Sequence, residues 1–103
     1  MQLTDVADLL AGFDGVRATG GDGEPAQWRY HGRMVARQLD ATHIVIRSAF
    51  DHREGVLARH PGTFSVPTRF RKHMMVVADL EAGDERAIAD ALAAAWQLQC
   101  SPD

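Results

Sequence analysis

The clearest candidate for a chemical role is the basic run RFRKH at residues 69–73. Cationic side chains interleaved with an aromatic ring can neutralise phosphates while the ring packs on a base or on the protein core. If the run is extended, Arg69, Arg71 and His73 share one face. Arg53 lies near them if its helix folds alongside. The sequence therefore predicts a phosphate-contacting surface made of Arg47, Arg69, Arg71, Lys72 and His73.

The charge of the chain is unevenly distributed, and the basic run belongs to its positive middle segment. Residues 47–73 carry a net charge of +4, whereas residues 1–46 carry −2 and residues 74–103 carry −5. Such a distribution polarises the surface even though the whole chain is slightly acidic, at −3. A second interpretation stays open, because solvated charges beside an apolar strand also protect that strand from edge-to-edge pairing.

Residues of the other chemically active types lack partners at the spacing that catalysis or metal binding requires. No two histidines are four residues apart, as in helical zinc sites, and no spacing brings three of them together. Cys100 ends a predicted helix, where the negative end of the helix dipole disfavours a thiolate. Ser48 and Ser65 lack a nucleophile-elbow context. We therefore expect a protein that is not an enzyme, with no catalytic residues, no metal and no cofactor.

Length and composition predict a single domain over residues 1–103. A chain of 103 residues can form one core but not two, and 46% hydrophobic with 24% charged residues is typical of globular domains. No apolar run approaches the roughly 20 residues of a membrane span, and the N-terminal sequence lacks the blocks of a signal peptide. The single cysteine excludes an intramolecular disulfide, so we expect a cytoplasmic protein without a membrane partner.

The hydrophobic pattern predicts short antiparallel strands. Residues 27–39 form a hairpin around the His31-Gly32 turn, and the next strand alternates, with Ile44 and Ile46 on one side. The glycine-rich residues 20–25 form a connector, because they lack the Lys and Ser/Thr of a phosphate-binding loop. The predicted strands and hairpin cover residues 16–19, 27–39, 43–47 and 74–80.

The three predicted helices begin at polar residues that can cap them. Thr4 is expected to cap the first helix, and Asp51 with Glu54 to form a capping box on the second. The third begins near Asp84 and runs to about Gln99, before a frayed tail. The order helix, strands, helix, strand, helix predicts an α+β fold, in which helices pack on one face of an antiparallel sheet.

The hairpin supplies a second candidate surface. Trp28 and Tyr30 alternate with Arg29 and His31, so the two aromatic side chains share one face of the strand. Trp28 is expected to belong to the core more than to a ligand platform. If the face is exposed, it would instead suit a protein partner, a second copy of the chain or a small ligand. A protein-interaction or small-ligand module, which could form a dimer through this face, is therefore the alternative to phosphate contact.

Four segments follow the pattern of a known family of small bacterial proteins. The hairpin RYHGRMVARQL resembles its strand, Gly-Lys/Arg turn and strand. The segment IVIRSAFDHREGVLARHPGTFSVPTRF is similar to its strand, short helix, Pro-Gly turn and aromatic-containing loop. RKHMMVVADL and AIADALAAAWQL resemble its Lys-Arg-His strand and closing helix. These segments, within residues 27–99, resemble the YjbR/MmcQ family.

This resemblance implies an α+β fold and DNA binding, a label the family carries for its likeness to a double-wing arrangement, although its molecular role is poorly characterised. The chain departs from the family at Met74, where an aromatic is frequent, and at Arg33, where lysine is usual. Losing the aromatic weakens a mechanism based on base stacking. We expect a single YjbR/MmcQ-like domain that contacts DNA weakly through Arg47, Arg69, Arg71, Lys72 and His73.

Overall fold

A computed structural model of the chain describes residues 1–101. The helices are α1 (Leu3–Ala11), α2 (Phe50–Arg59) and α3 (Glu85–Cys100), with a single-turn 3₁₀ helix at Thr68–Phe70. The strands are β1 (Val16–Thr19), β2 (Gln27–Tyr30), β3 (Arg33–Gln38), β4 (His43–Arg47), β5 (Phe64–Ser65) and β6 (Met75–Asp79).

The strands form one antiparallel sheet in the order β1-β2-β3-β4-β6-β5. The first four strands are a meander in chain order, and β6 then inserts between β4 and β5. The β2–β3 turn is tight because His31 and Gly32 both have positive φ, at 48° and 82°. That conformation matches the twist of the flanking strands in a two-residue hairpin.

All three helices share a buried core with one face of the sheet. On the sheet side, a row of directly paired residues crosses four strands: Trp28, Ala36, Ile46 and Val76. On the helix side, the same cluster contains Val6 and Leu10 of α1, Val56 of α2, and Ile88 and Leu92 of α3. Each buried aliphatic side chain of this size contributes about 1.5–3 kcal/mol relative to an exposed one, so this cluster is the main source of stability.

The opposite face of the sheet, called the open face below, has only a small apolar cluster. Val45 and Val77 are paired across β4 and β6, and Phe70 of the 3₁₀ helix packs with them. Phe70 keeps only 7% of its surface exposed. None of α1, α2 and α3 contributes to this buried cluster, so the polar residues on neighbouring strands face outwards.

The α+β class is confirmed: the sheet is antiparallel, and the helices pack on one face of it. The predicted hairpin and the strand at residues 43–47 occur with the expected alternation, because Ile44 and Ile46 lie in the main core and Val45 in the small cluster. The third helix starts as predicted, since Asp84 Oδ1 accepts the backbone N–H of Ala87 at 2.9 Å. No helix of the described residues is both long and apolar enough to cross a membrane.

Both of the other predicted caps were wrong. The first turn of α1 follows Gln2, and Thr4 lies inside the helix; the backbone N–H of Gln2 donates to Asp5 Oδ2 at 2.7 Å. The residue before α2 is Ala49, so Asp51 sits inside the first turn and cannot form the expected capping box.

The basic run does not meet the condition under which Arg69, Arg71 and His73 would share one face of a strand, because residues 68–70 form a 3₁₀ helix. The 3₁₀ turn lets the Phe70 ring pack on the open face against Val45 and Val77, whereas an extended chain would carry the ring past them. At the C-terminus, Cys100 closes α3. The rest of the predicted tail includes Pro102 and Asp103, which lie outside the described residues.

Candidate nucleic-acid interface

The basic loop, defined here as residues 68–73, is held in shape by Arg53 of α2. Its Nη1 donates to the backbone carbonyls of Phe70 at 3.3 Å, His73 at 2.8 Å and Met75 at 3.3 Å. Its Nη2 donates to the carbonyl of Arg71 at 3.1 Å. One guanidinium thus gathers four carbonyls, of which those of Phe70 and His73 also accept a backbone N–H. The sequence analysis placed Arg53 near the loop without assigning it this structural role.

Four of the five predicted site residues lie in this loop and come together. Arg69, Arg71, Lys72 and His73 are exposed and line an open concavity of about 560 Å³ with Thr68. The fifth predicted residue, Arg47, ends β4 and lies in a neighbouring groove instead. The predicted residues therefore form two adjacent positive sites rather than one.

Phe70 is the aromatic element of the loop, but its ring serves the protein rather than a ligand. The Arg69 guanidinium carbon lies 4.8 Å from the ring centroid, and that of Arg37 on β3 lies 5.6 Å away. Cation–π attraction positions both guanidinium groups beside the ring. Because the ring is buried, a stacking contact between Phe70 and a base is not available.

The open face adds three arginines that the sequence analysis did not assign to a site. Arg17 on β1 and Arg29 on β2 are directly paired, and Arg37 on β3 is paired with Gln27 next to Arg29. Like charges directly opposite each other are unfavourable in isolation, so the Arg17–Arg29 pair favours a bound anion. The position of Arg29 could have been predicted from the alternation of side chains along β2. Because Trp28 is buried in the main core, Arg29 must point to the open face.

Arg47 lies in an open groove of about 590 Å³ between the β2–β3 turn and the C-terminal end of α3. The groove is lined by Arg29, Gly32, Arg33, Met34, Arg47, Met74, Leu98 and Gln99. None of these residues is acidic. The side chain of Arg47 makes no hydrogen bond or salt bridge within residues 1–101, and its Nε is buried without a partner. An anion that enters this groove would meet an unpaired guanidinium.

Charge is segregated along the strand direction. The antiparallel register puts the β2–β3 turn, the end of β4 and the start of β6 at one end of the sheet, which we call the basic end. Its cations on the open side are Arg29, Arg47, Arg71 and Lys72. Arg33 lies on the helix side, where it donates to the carbonyl of Gln99. The carboxylates near the basic end, Asp14 and Asp51, are on loops and helices of the other side. Within residues 1–101, the open side of the basic end thus presents cations without neutralising acids beside them.

The acidic end is formed by the loops at the other end of the strands. Its carboxylates are Asp22, Glu24, Asp40, Asp79, Glu81, Asp84 and Glu85. His43 links two of them, with Nδ1 3.0 Å from Asp40 Oδ1 and Nε2 3.8 Å from Asp79 Oδ2. This end of the sheet is unsuited to phosphate contact.

Backbone donors stabilise the ionised form of two carboxylates at the acidic end. The backbone N–H of Thr42, followed by the His43 ring, lowers the pKa of Asp40 below its usual value. The N–H groups of Ala82 and Glu81 lower the pKa of Asp79 in the same way. The acidic end therefore stays charged over the whole neutral range.

The hairpin face around Trp28 and Tyr30 is not an exposed surface. Trp28 is 3% exposed and belongs to the main core, and Tyr30 is half-buried against it. The side chain of Cys100 on α3 raises the pKa of Tyr30. The only large hydrophobic residue that is exposed among the described residues is Phe50, at 43%. A protein-binding surface centred on Trp28 is therefore inconsistent with this fold.

None of the ten arginines forms a salt bridge within residues 1–101. No group of three or more His, Cys, Asp or Glu in this part of the chain is arranged to hold a metal ion. Comparisons with protein-family models, with curated proteins and with solved structures find no match to this chain. The family resemblance therefore stays a prediction, and the functional argument depends on the geometry.

Proposed function

We propose that this chain is a non-enzymatic, YjbR/MmcQ-like cytoplasmic domain that binds nucleic acid weakly and without sequence specificity. The basic loop and the basic end of the open face form the contact surface. Arg69, Arg71 and Lys72 neutralise phosphates, and His73 and Arg47 assist them. Binding of this kind positions the protein on the phosphate backbone without reading bases.

The observation that carries the proposal is the absence of salt bridges at these arginines within residues 1–101. A surface arginine with no intramolecular carboxylate keeps its charge and donors available for an external anion. Several of them share one face, so their potentials add in the direction of a ligand. The chain bears a net charge of −3, so this local concentration is what would attract a polyanion.

The alternative, a protein-interaction or small-ligand module, has less support. It needs a contiguous apolar patch, and Trp28 at its predicted centre is buried. The exposed Phe50 is isolated and carries Arg53 over its ring, 4.8 Å from the centroid. An open face on which Arg17, Arg29, Arg37 and Arg47 surround a small apolar cluster fits a phosphate backbone better than an apolar partner.

Fluorescence anisotropy with a labelled duplex and a labelled single strand, each at low and physiological salt, tests the proposal. Binding should weaken with salt by about 0.7–0.9 log units per log unit of salt for each phosphate contacted. Combined replacement of Arg69, Arg71 and Lys72 by alanine should abolish it, with an unchanged circular dichroism spectrum. No binding of the wild-type protein at low salt, or equal binding by the triple variant, would refute the proposal.

A charge-matched pair of double variants separates location from net charge. The variant Arg71→Ala/Lys72→Ala removes two charges from the basic loop, whereas Arg59→Ala/Arg86→Ala removes two from exposed helix positions. Only the first should weaken binding strongly. If both lose the same affinity, the effect reflects overall charge and the proposed surface is wrong.

A further inference from the structure

The groove at Arg47 combines features that a simple phosphate-contacting surface does not need. One wall is cationic, with Arg29, Arg33 and Arg47, and the remaining lining includes the apolar side chains of Met34, Met74 and Leu98. Its volume of about 590 Å³ falls in the range of small-molecule sites. Both methionines are only half-buried, so their surfaces remain open to a ligand.

Arg29 and Arg47 differ in how many of their side-chain N–H groups are already hydrogen-bonded within the protein. Arg29 is held in place, because Nε and Nη2 donate to Gln27 Oε1 and Nη1 donates to the carbonyl of Gly32 at 3.0 Å. Three of its five N–H groups are thus used, and two remain available. Arg47 uses none of its own within residues 1–101, and its Nε is buried. A phosphate bridging Arg29 and Arg47 would satisfy donors that the chain leaves open.

Two carbonyls in the last turn of α3 are occupied, which lessens the opposition of this helix end to an anion. Arg33 Nη1 donates to the carbonyl of Gln99 at 3.2 Å, and Ser101 Oγ donates to the carbonyl of Gln97 at 3.0 Å. The side-chain amide of Gln99 donates to the carbonyl of Met34 at 2.6 Å and fixes the helix end to β3. These bonds reduce the negative potential that a free helix C-terminus would place on the groove.

We infer that this groove binds one unpaired nucleotide, with its phosphate on Arg47 and Arg29 and its base on the methionine side. Thioether side chains make favourable contacts with aromatic rings and adapt to different ring shapes. A duplex keeps its bases stacked inside, so it could offer the groove a phosphate but no base. The inference rests on the proposed function and makes it more specific: single strands should bind more tightly than duplexes.

Anisotropy with a labelled single strand and the matched blunt duplex tests the inference on the whole chain. Arg47→Gln should weaken strand binding about tenfold, the effect of losing one charge-assisted contact. Arg86→Gln, a charge-matched change on an exposed part of α3, should leave strand binding unchanged. Arg47→Gln should weaken duplex binding much less than strand binding.

A neutral substitution isolates the role of the apolar side. Met74→Gln has nearly the same length but a polar end, so it should weaken strand binding several-fold. The dependence of binding on salt should stay unchanged, because no charge is removed. A merely electrostatic site would not respond to this variant.

Competition by adenosine monophosphate and by inorganic phosphate distinguishes the possible sources of the nucleotide. Displacement of the strand by the mononucleotide would support a site for free nucleotides as well as for strands. Binding of the strand alone would support an internal nucleotide of a chain. If inorganic phosphate competes as well as the mononucleotide and Met74→Gln has no effect, the inference is overturned.

The failure of this inference differs from the failure of the proposed function. Equal affinity for strand and duplex, with Arg47→Gln lowering both alike, overturns the nucleotide site but leaves general nucleic-acid binding intact. If neither polymer binds, the proposed function fails. In that case, mononucleotide binding that is lost in Arg47→Gln would still support the groove, and its absence would refute it.

Discussion

The two ends of the sheet use the same antiparallel strands but treat their charged side chains in opposite ways. At the acidic end, Asp40 and Asp79 accept backbone N–H groups and Asp40 contacts the His43 ring, so the charges of these two carboxylates are satisfied within the protein. At the basic end, Arg47 and the cations of the basic loop have no carboxylate partner within residues 1–101. Charges satisfied internally serve the fold, whereas charges left unpaired are available for a ligand.

Arg53 is the exception at the basic end, because it is a cation used for structure. It lies among unpaired cations, but its guanidinium donates to three carbonyls of the basic loop and to the carbonyl of Met75 in β6. Arg53 has a structural role, whereas the nearby Arg71 is proposed to bind a ligand. The two roles cannot be told apart from where the residues stand in the sequence. The following predictions test this division, beginning with the largest effect.

Replacing Arg53 should affect stability more than any other single change at the basic end. Arg53→Met keeps the length of the side chain but removes all four bonds to carbonyls, so we expect a loss of about 2–3 kcal/mol. Urea unfolding measures this difference in the free energy of unfolding. Arg59→Met, on an exposed position of the same helix, should cost less than about 0.5 kcal/mol. Equal losses would contradict the structural role of Arg53.

The ring of Phe70 should couple energetically to the cations beside it. A double-mutant cycle with Arg37→Met and Phe70→Leu should give an interaction energy of about 0.5–1 kcal/mol. The leucine keeps an apolar contact with Val45 and Val77, so the fold should survive. Additive losses in urea unfolding would show that the guanidinium of Arg37 gains nothing from the ring.

The ends of the sheet should differ in how single charges affect the salt dependence of binding. Arg71→Ala should reduce the slope of log affinity against log salt by about 0.7–0.9, the loss of one phosphate contact. Arg86→Ala, on the first turns of α3 next to the acidic end, should leave the slope unchanged. Titrations of a labelled strand at several salt concentrations compare the two. If both variants show the same salt dependence, the two ends of the sheet do not differ in their contact with phosphates.

The hydrogen bonds to Asp40 and Asp79 at the acidic end should make the stability of the protein depend on pH. Because the pKa values of Asp40 and Asp79 are lowered by folding, the unfolded state binds protons first as the pH falls. Their contribution is therefore present above about pH 4 and lost as the pH falls through the folded values. The double variant Asp40→Asn/Asp79→Asn should be less stable than the wild type at neutral pH, and the difference should shrink towards pH 3. A constant difference would contradict the lowered pKa values.

Most of the secondary structure was predictable because the local sequence pattern and the tertiary packing favour the same elements. The hairpin has a turn with a glycine, and the strand at residues 43–47 alternates cleanly. The two missed caps lie where more than one residue could begin a helix, and packing of Val6 and Val56 decides between them. The 3₁₀ helix could not be predicted locally, since it depends on Phe70 reaching a valine pair from distant strands.

The candidate site was predicted in part. The basic loop is local in sequence, so Arg69, Arg71, Lys72 and His73 were found together. The arginines of the open face come from three strands, and only the sheet register brings Arg17, Arg29 and Arg37 together. The groove at Arg47 needs α3 to lie beside the β2–β3 turn, a contact between residues more than sixty positions apart. No spacing rule in the sequence expresses that contact.

The separation of acids and bases along the strands gives the molecule an electric dipole moment. In the field of a polyanion, a dipole experiences a torque even when the net charge is repulsive, as it is here at −3. The protein would therefore turn its basic end towards a nucleic acid before any contact forms. Bound molecules would all point their acidic ends outwards, which would disfavour a second layer on top of the first.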